Sequence, residues 1–371
     1  MYPVIINSRF TQPDPPPLEP IGGDLVADDL YSLLQIISTW PATNSIPKEG
    51  GALTLNGGSL GNYDYIVRRE DVVIDSGNPF VASEWFTTNE DSHSALCVVD
   101  GNLTVGAGEL MKPAVRKLFM GLYVTGSLTV DGEISMTARG ANHSSATGSN
   151  ITAVTIPIAV GTFSEVTNPE VPATGGAGAA QAGFAPGNNG TAGVDGGTGG
   201  GGGGGGRLGT GGAGAAGTAF TGGSGGGAGS KAGSIGEGAF ANGGKGGDGN
   251  VGGTNTGAGG GAGNPGGTHS SGTGGSADDG EAGAGGILLL YCDGTFHGSG
   301  AFSADGSDGG GANATDDAGG GGSGGGVAVG LFGADLSSIT PTANGGAGGA
   351  AVNQNADGGA GGAGTAQILI L

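Results

Sequence analysis

The chain has 371 residues, 94 of them glycine, only 5% aromatic, with a formal net charge of −21. Globular proteins hold roughly 7% glycine, so the excess calls for an explanation. With so few aromatics, a large conventional core is confined to residues before about 130 and to the apolar strands. The acidic surface excludes nucleic acid as a partner, and no apolar run reaches the roughly 18 residues needed to span a bilayer.

Residues 1–20 carry six prolines (Pro3, Pro13, Pro15, Pro16, Pro17 and Pro20), which predicts an extended arm. A helix is expected over residues 24–38. Leu25, Leu30, Leu33, Leu34, Ile36 and Ile37 form its apolar face, Asp28 and Asp29 charge its first turns, and Pro41 follows its end. Short alternating stretches follow at 65–67 and 71–75. Residues 21–117 therefore read as a small β-rich docking module with one helix, opposed by the bland alternative of a frayed terminus.

From residue 118 an internal repeat emerges. The apolar run 118–124 is followed by the alternating run 127–138, 286–292 by 295–306, and 327–332 by 336–345. A truncated unit ends the chain at 367–371, and a weaker copy begins at 95–99 with 102–105 after it. Each unit reads as an apolar strand, a turn, a short strand and a glycine-rich excursion. Such units cannot bury their faces alone, so they should stack as a short β-solenoid or a two-sheet sandwich. The expected class is all-β, with residues 118–371 as one repeat region and 139–285 as its main glycine-rich insertion.

Within the excursions glycine returns at every third position, as at Gly187, Gly190, Gly193, Gly196 and Gly199, or Gly358, Gly361 and Gly364. Three residues per turn is the period of the extended left-handed helix, which leaves its own N–H and C=O groups unsatisfied. A disordered linker is the alternative. A bundle of polyglycine-II helices is preferred because the beat shifts phase at polar breaks and each tract leads into an apolar strand. Collagen is excluded by only 16 prolines and the broken register.

Chemistry-bearing motifs are weak. His93, His143, His269 and His297 lie far apart, and turn histidines are commonly solvated. Carboxylates cluster at Asp278 and Asp279 with Glu281, at Asp305 with Asp308, and at Asp316 with Asp317, all without the aromatic company of a sugar-cleaving site. Residues 243–248 match only the opening of a calcium-binding nonapeptide, and calcium at the acidic turns stays open. Residues 199–206 lack the Lys-Ser/Thr ending of a phosphate loop. No cofactor, no metal and no enzymatic activity are expected. Cys97 and Cys292 lie in apolar strands and read as buried thiols.

The Gly-Gly-X and Gly-Ala-Gly runs beyond residue 140, with the strand 128–132 before them, resemble the glycine-rich tail-tip adhesins and receptor-binding fibre proteins of tailed bacteriophages. The resemblance is architectural and covers the glycine-rich portion. It implies a non-enzymatic virion protein, made in the host cytoplasm, mounted on tail or fibre proteins through its N-terminal arm and module. It further implies a host surface receptor, a glycan or an outer-membrane protein, and a symmetric trimer as the oligomer that fibres adopt. The lack of an export signal agrees with a particle released by lysis.

Receptor contacts are expected at non-glycine breaks with a large or charged side chain: Phe184, Arg207, Leu208, Phe220, Lys231, Phe240, Asn255, His269, Asp278 and Asp279. Each phenylalanine has an alternative role as a plug at the bundle edge. Two other functions fit the same composition. One is a purely structural virion component such as a shaft, tail tip or head decoration. The other is an ice-binding polyglycine-II protein, disfavoured by the phase breaks and scattered acids.

Overall fold

The computed structural model describes residues 22–43, 46–76, 86–89, 92–140, 154–159, 165–168, 213–214, 216, 223, 285–309, 322, 324–350 and 357–371. Among the described residues the class is all-β, mostly sheet with one helix. In chain order the first elements are β1 (Leu25–Ala27), α1 (Leu30–Ser38), β2 (Lys48–Leu55), β3 (Gly58–Arg68), β4 (Val72–Ile74) and β5 (His93–Val99). Then come β6 (Leu103–Val105), β7 (Leu110–Met111), β8 (Met120–Val124), β9 (Leu128–Val130), β10 (Glu133–Ser135), β11 (Val154–Pro157) and β12 (Glu165–Asn168). The last four are β13 (Ile287–His297), β14 (Ala301–Ser303), β15 (Val327–Asp335) and β16 (Thr365–Ile370).

The repeat units lie side by side. β3, β5, β8, β13, β15 and β16 pair in that order, all parallel and in register. One column across this sheet runs Ile66, Cys97, Leu122, Leu290, Gly330, Ile368. The next column runs Val67, Val98, Tyr123, Tyr291, Leu331, Leu369 and faces the opposite side. Two separate cores result, one per face. Strands buried on both faces show continuous apolar runs, which is why 95–99 and 287–292 are legible.

A second parallel stack, β4, β6, β9 and the end of β13, and a third, β7, β10 and β14, enclose the first core. From β5, β8 and β13 the chain passes from the first stack to the second and third before returning. β13 makes the first passage without the expected turn: it continues through a register shift between Cys292 and Thr295. The parallel pair β5–β8 spans position 117/118, so the sheet is continuous through that point, and β3 with β4 is one more unit of the stack.

α1 covers the second core. The expected start at Asp24 is corrected: Leu25 belongs to β1, parallel to β2, and the Asp24 carboxylate accepts the Ala52 N–H. Asp29 is the true N-cap, accepting the Ser32 N–H at 2.9 Å. Leu30, Leu33, Leu34 and Ile37 are fully buried, whereas Ile36 is exposed. Gly121 in β8 makes the close approach feasible, since a Cβ there would meet the Leu30 side chain at 3.3 Å. Cys97 and Cys292 are free and buried.

Candidate functional site: a glycine ladder on the parallel stack

The third stack does not end at β14. Beyond Ser303 the chain continues as an extended segment whose Gly306 and Gly309 N–H groups donate to Asn344 and Ala347, each at 2.8 Å. Gly322 and Gly325 donate to Gly359 and Gly362, and Gly358, Gly361 and Gly364 donate to Gly349, Gly346 and Ala343. Gly214 and Gly223, from the long insertion, donate to Ala360 and Gly325. Every donor series steps by three residues. Burial steps by three as well: Ala343, Gly346 and Gly349 are buried, and Asn344, Ala347 and Ala350 exposed. Groups left unsatisfied within one extended segment are thus satisfied by its neighbours.

Close packing of backbones explains the glycine. A Cβ at Gly345 would sit 2.1 Å from the Gly361 carbonyl oxygen, and one at Gly322 2.1 Å from that of Gly346. Gly345→Ala should therefore cost on the order of 1–3 kcal/mol, because backbone must give way. Ala350→Ser, at an exposed position, should stay within about 0.5 kcal/mol. Chemical denaturation of both variants checks this, and equal stabilities would contradict the packing.

Acidic side chains anchor the ladder. Asp305 accepts the Asn344 N–H at 2.5 Å and the Thr342 hydroxyl at 2.9 Å, and Asp308 accepts the Ala347 N–H at 2.7 Å. Beneath them the Ser303 hydroxyl donates to Glu133 and meets the hydroxyls of Ser135 and Thr137 at 2.8 and 3.0 Å. Asp305 and Asp308, read from sequence only as a carboxylate pair, are pins between neighbouring segments. Among the described residues no group of three or more metal-ligating side chains converges.

Two polar clusters lie outside the ladder, and sequence reasoning missed both. In the first, Lys117 is fully buried, with Nζ 2.5 Å from Asp64 Oδ2 and 2.6 Å from the Thr88 carbonyl. Asp64 Oδ1 accepts the Asn89 amide and meets His93 Nδ1, each at 2.9 Å. His93, which sequence reading left without a role, is thus half-buried against a carboxylate. Nothing adjacent in sequence links Lys117 to Asp64.

In the second cluster the Tyr31 and Tyr123 hydroxyls each donate to the exposed Asp293 carboxylate at 2.5 Å, with Tyr291 stacked on Tyr31. Burial, and then the Asp293 charge, push both tyrosines above their ordinary range. A raised folded pKa gives stability that is complete below about pH 10 and lost as pH climbs beyond it. Urea midpoints should therefore fall on the alkaline side of about pH 10. The fall should be shallower in the Tyr31→Phe/Tyr123→Phe double variant. An equal slope in both proteins would contradict the assignment. Burial also pushes the Cys292 thiol up to about 11, so it is a poor nucleophile at neutral pH.

The ten expected receptor contacts, Phe184, Arg207, Leu208, Phe220, Lys231, Phe240, Asn255, His269, Asp278 and Asp279, lie outside the described residues. So do the arm 1–20, the calcium-like residues 243–248 and the carboxylates Asp316 and Asp317. Compared with known protein families, curated proteins and solved structures, the chain finds no match.

Proposed function

We propose that this chain is a non-enzymatic structural protein of a tailed-phage virion, a fibre or tail-tip component that mediates attachment to the host surface. In this reading the parallel stack is a β-solenoid, the glycine ladder is the root of a polyglycine-II bundle, and the insertion 139–285 grows outward from it. Residues 1–117 dock the protein to other virion components. The bundle carries the loops that hold Phe184, Arg207, Phe220, Lys231 and their fellows toward a glycan or outer-membrane protein.

The observation that carries this reading is the three-residue hydrogen-bond step joining segments 304–309, 322–326, 342–349 and 358–364. Backbone-to-backbone packing makes a rigid support whose loop tips change without disturbing a side-chain core. That property suits a surface under pressure to vary its specificity. The acidic charge keeps so glycine-rich an object in solution.

Adsorption assays test the proposal. Purified protein should bind host cells and compete with adsorption of the phage that carries it, and antibodies to the glycine-rich portion should neutralise. Failure of all three would overturn attachment. Simultaneous substitution of Arg207 and Lys231 by Ala should weaken binding while leaving the fold intact.

A further inference from the structure

The glycine-rich insertion also turns back onto the N-terminal module. Its strands β11 and β12 pair antiparallel, Val154 opposite Asn168 and Pro157 opposite Glu165, as a two-stranded sheet separate from the stack. Ile156, Ile158 and Ala159 are buried in the second core, and β11 lies against β3. The Ile158 carbonyl accepts the Tyr31 N–H at 3.2 Å and the Tyr291 hydroxyl at 2.9 Å. Tyr31 stands in the first turn of α1, where N–H groups find no partner within the helix, so the insertion supplies one. A single carbonyl thus joins the N-terminal module, the insertion and the repeat stack.

This attachment is shallow. β8 is held along its length by parallel neighbours on both sides, β5 and β13. Among the described residues, β11 is fastened to the rest of the protein by its apolar side chains and by hydrogen bonds at the Ile158 carbonyl. What lies beneath it ends in polar groups, the Tyr31 N–H and the Tyr291 hydroxyl, which water can satisfy once β11 lifts. A contact of that kind opens at lower free energy than a strand paired on both edges.

We propose that β11–β12 is a strap that opens as a unit before the stack does and ties the glycine-rich insertion to α1. What pulls on or binds the insertion then frees the first turn of α1. Because coupling between two sites is reciprocal, what fixes α1 steadies the insertion. In a chain that docks through residues 1–117, which the attachment reading supplies, the strap links the docked end to the loops.

Hydrogen exchange of the full chain, labelled with 15N at tyrosine, tests the strap without any receptor, so its outcome is independent of the adsorption assays. The Tyr31 amide reports the strap, while Tyr123 in β8 and Tyr291 in β13 report the stack. Tyr31 should exchange at least about tenfold faster than the other two. Ile156→Ser combined with Ile158→Ser should speed Tyr31 by about a further tenfold, through lost apolar burial. Tyr123 and Tyr291 should stay within about twofold. Tyr291→Phe keeps its ring on Tyr31 but loses the bond to Ile158, and should speed the Tyr31 amide by about two- to tenfold. If the double serine variant misfolds, Tyr291→Phe and the order of exchange in the parent decide. A Tyr31 amide as slow as Tyr123 and Tyr291, or one indifferent to the variants that fold, would each overturn the strap.

Discussion

Lys117→Met is expected to destabilise the protein by about 3–5 kcal/mol, the loss that follows when one member of a buried ion pair is removed. The Lys117 ammonium donates to Asp64 Oδ2, to the Thr88 carbonyl and, at 3.3 Å, to the Asn89 carbonyl. Phe86 lies against it, with its ring centre 6.0 Å from Nζ. Methionine fills similar space but leaves the Asp64 carboxylate 2% exposed and without its cation. Water cannot replace that partner without opening the core. Adding Asp64→Leu should recover part of the loss, since the stranded charge disappears with its partner. Urea unfolding of the single and double variants gives both numbers. A single variant within about 1 kcal/mol of the parent, the worth of a surface ion pair, would contradict the role assigned to Lys117.

Phe332→Ala should cost a similar amount, about 3–5 kcal/mol, through the cavity it opens. Phe332 is fully buried in the first core and stacks on Phe296 with ring centres 4.2 Å apart. Its ring folds back over Gly330, where a Cβ would lie 2.4 Å from Phe332 Cζ and 3.3 Å from the Phe302 ring. Gly330 therefore occupies an interior column otherwise filled by Ile66, Cys97, Leu122 and Leu290 because the ring takes the missing side chain's place. This geometry predicts coupling. Gly330→Ala alone should destabilise by overpacking, by about 1–3 kcal/mol, and should become milder once Phe332 is Ala. A double-mutant cycle reads the coupling directly, and strict additivity would contradict the shared cavity.

The stacked units were legible because parallel strands buried on both faces must be apolar throughout, as in 95–99, 118–124, 286–292 and 327–332. The three-residue beat was legible because only glycine tolerates a carbonyl oxygen about where its Cβ would stand. What stayed hidden has one physical cause: it depends on contacts distant in sequence. Asp24 looked like a helix opener, yet its carboxylate is taken by Ala52, and Asp29 is the cap. His93 and Lys117 carry no local pattern that reveals Asp64. Asp305 and Asp308 resembled a loose carboxylate pair, whereas their partners at 342–347 belong to the next unit. The β13 bulge hid because Asp293 and Gly294 read equally well as a turn.

The central claim is that glycine-rich segments are hydrogen-bonded parts of the stack, and amide hydrogen exchange followed by mass spectrometry measures that claim most directly. In peptides covering 304–309, 342–349 and 358–364 the amides held by neighbouring segments, such as those of Gly306, Gly309, Gly358, Gly361 and Gly364, should exchange about as slowly as those of β8 and β13, so each peptide should keep a slow fraction. Gly345→Ala should loosen all three together. Exchange of these peptides at the rate of an unstructured chain, while β8 and β13 stay protected, would contradict the account and leave the glycine tracts as linkers.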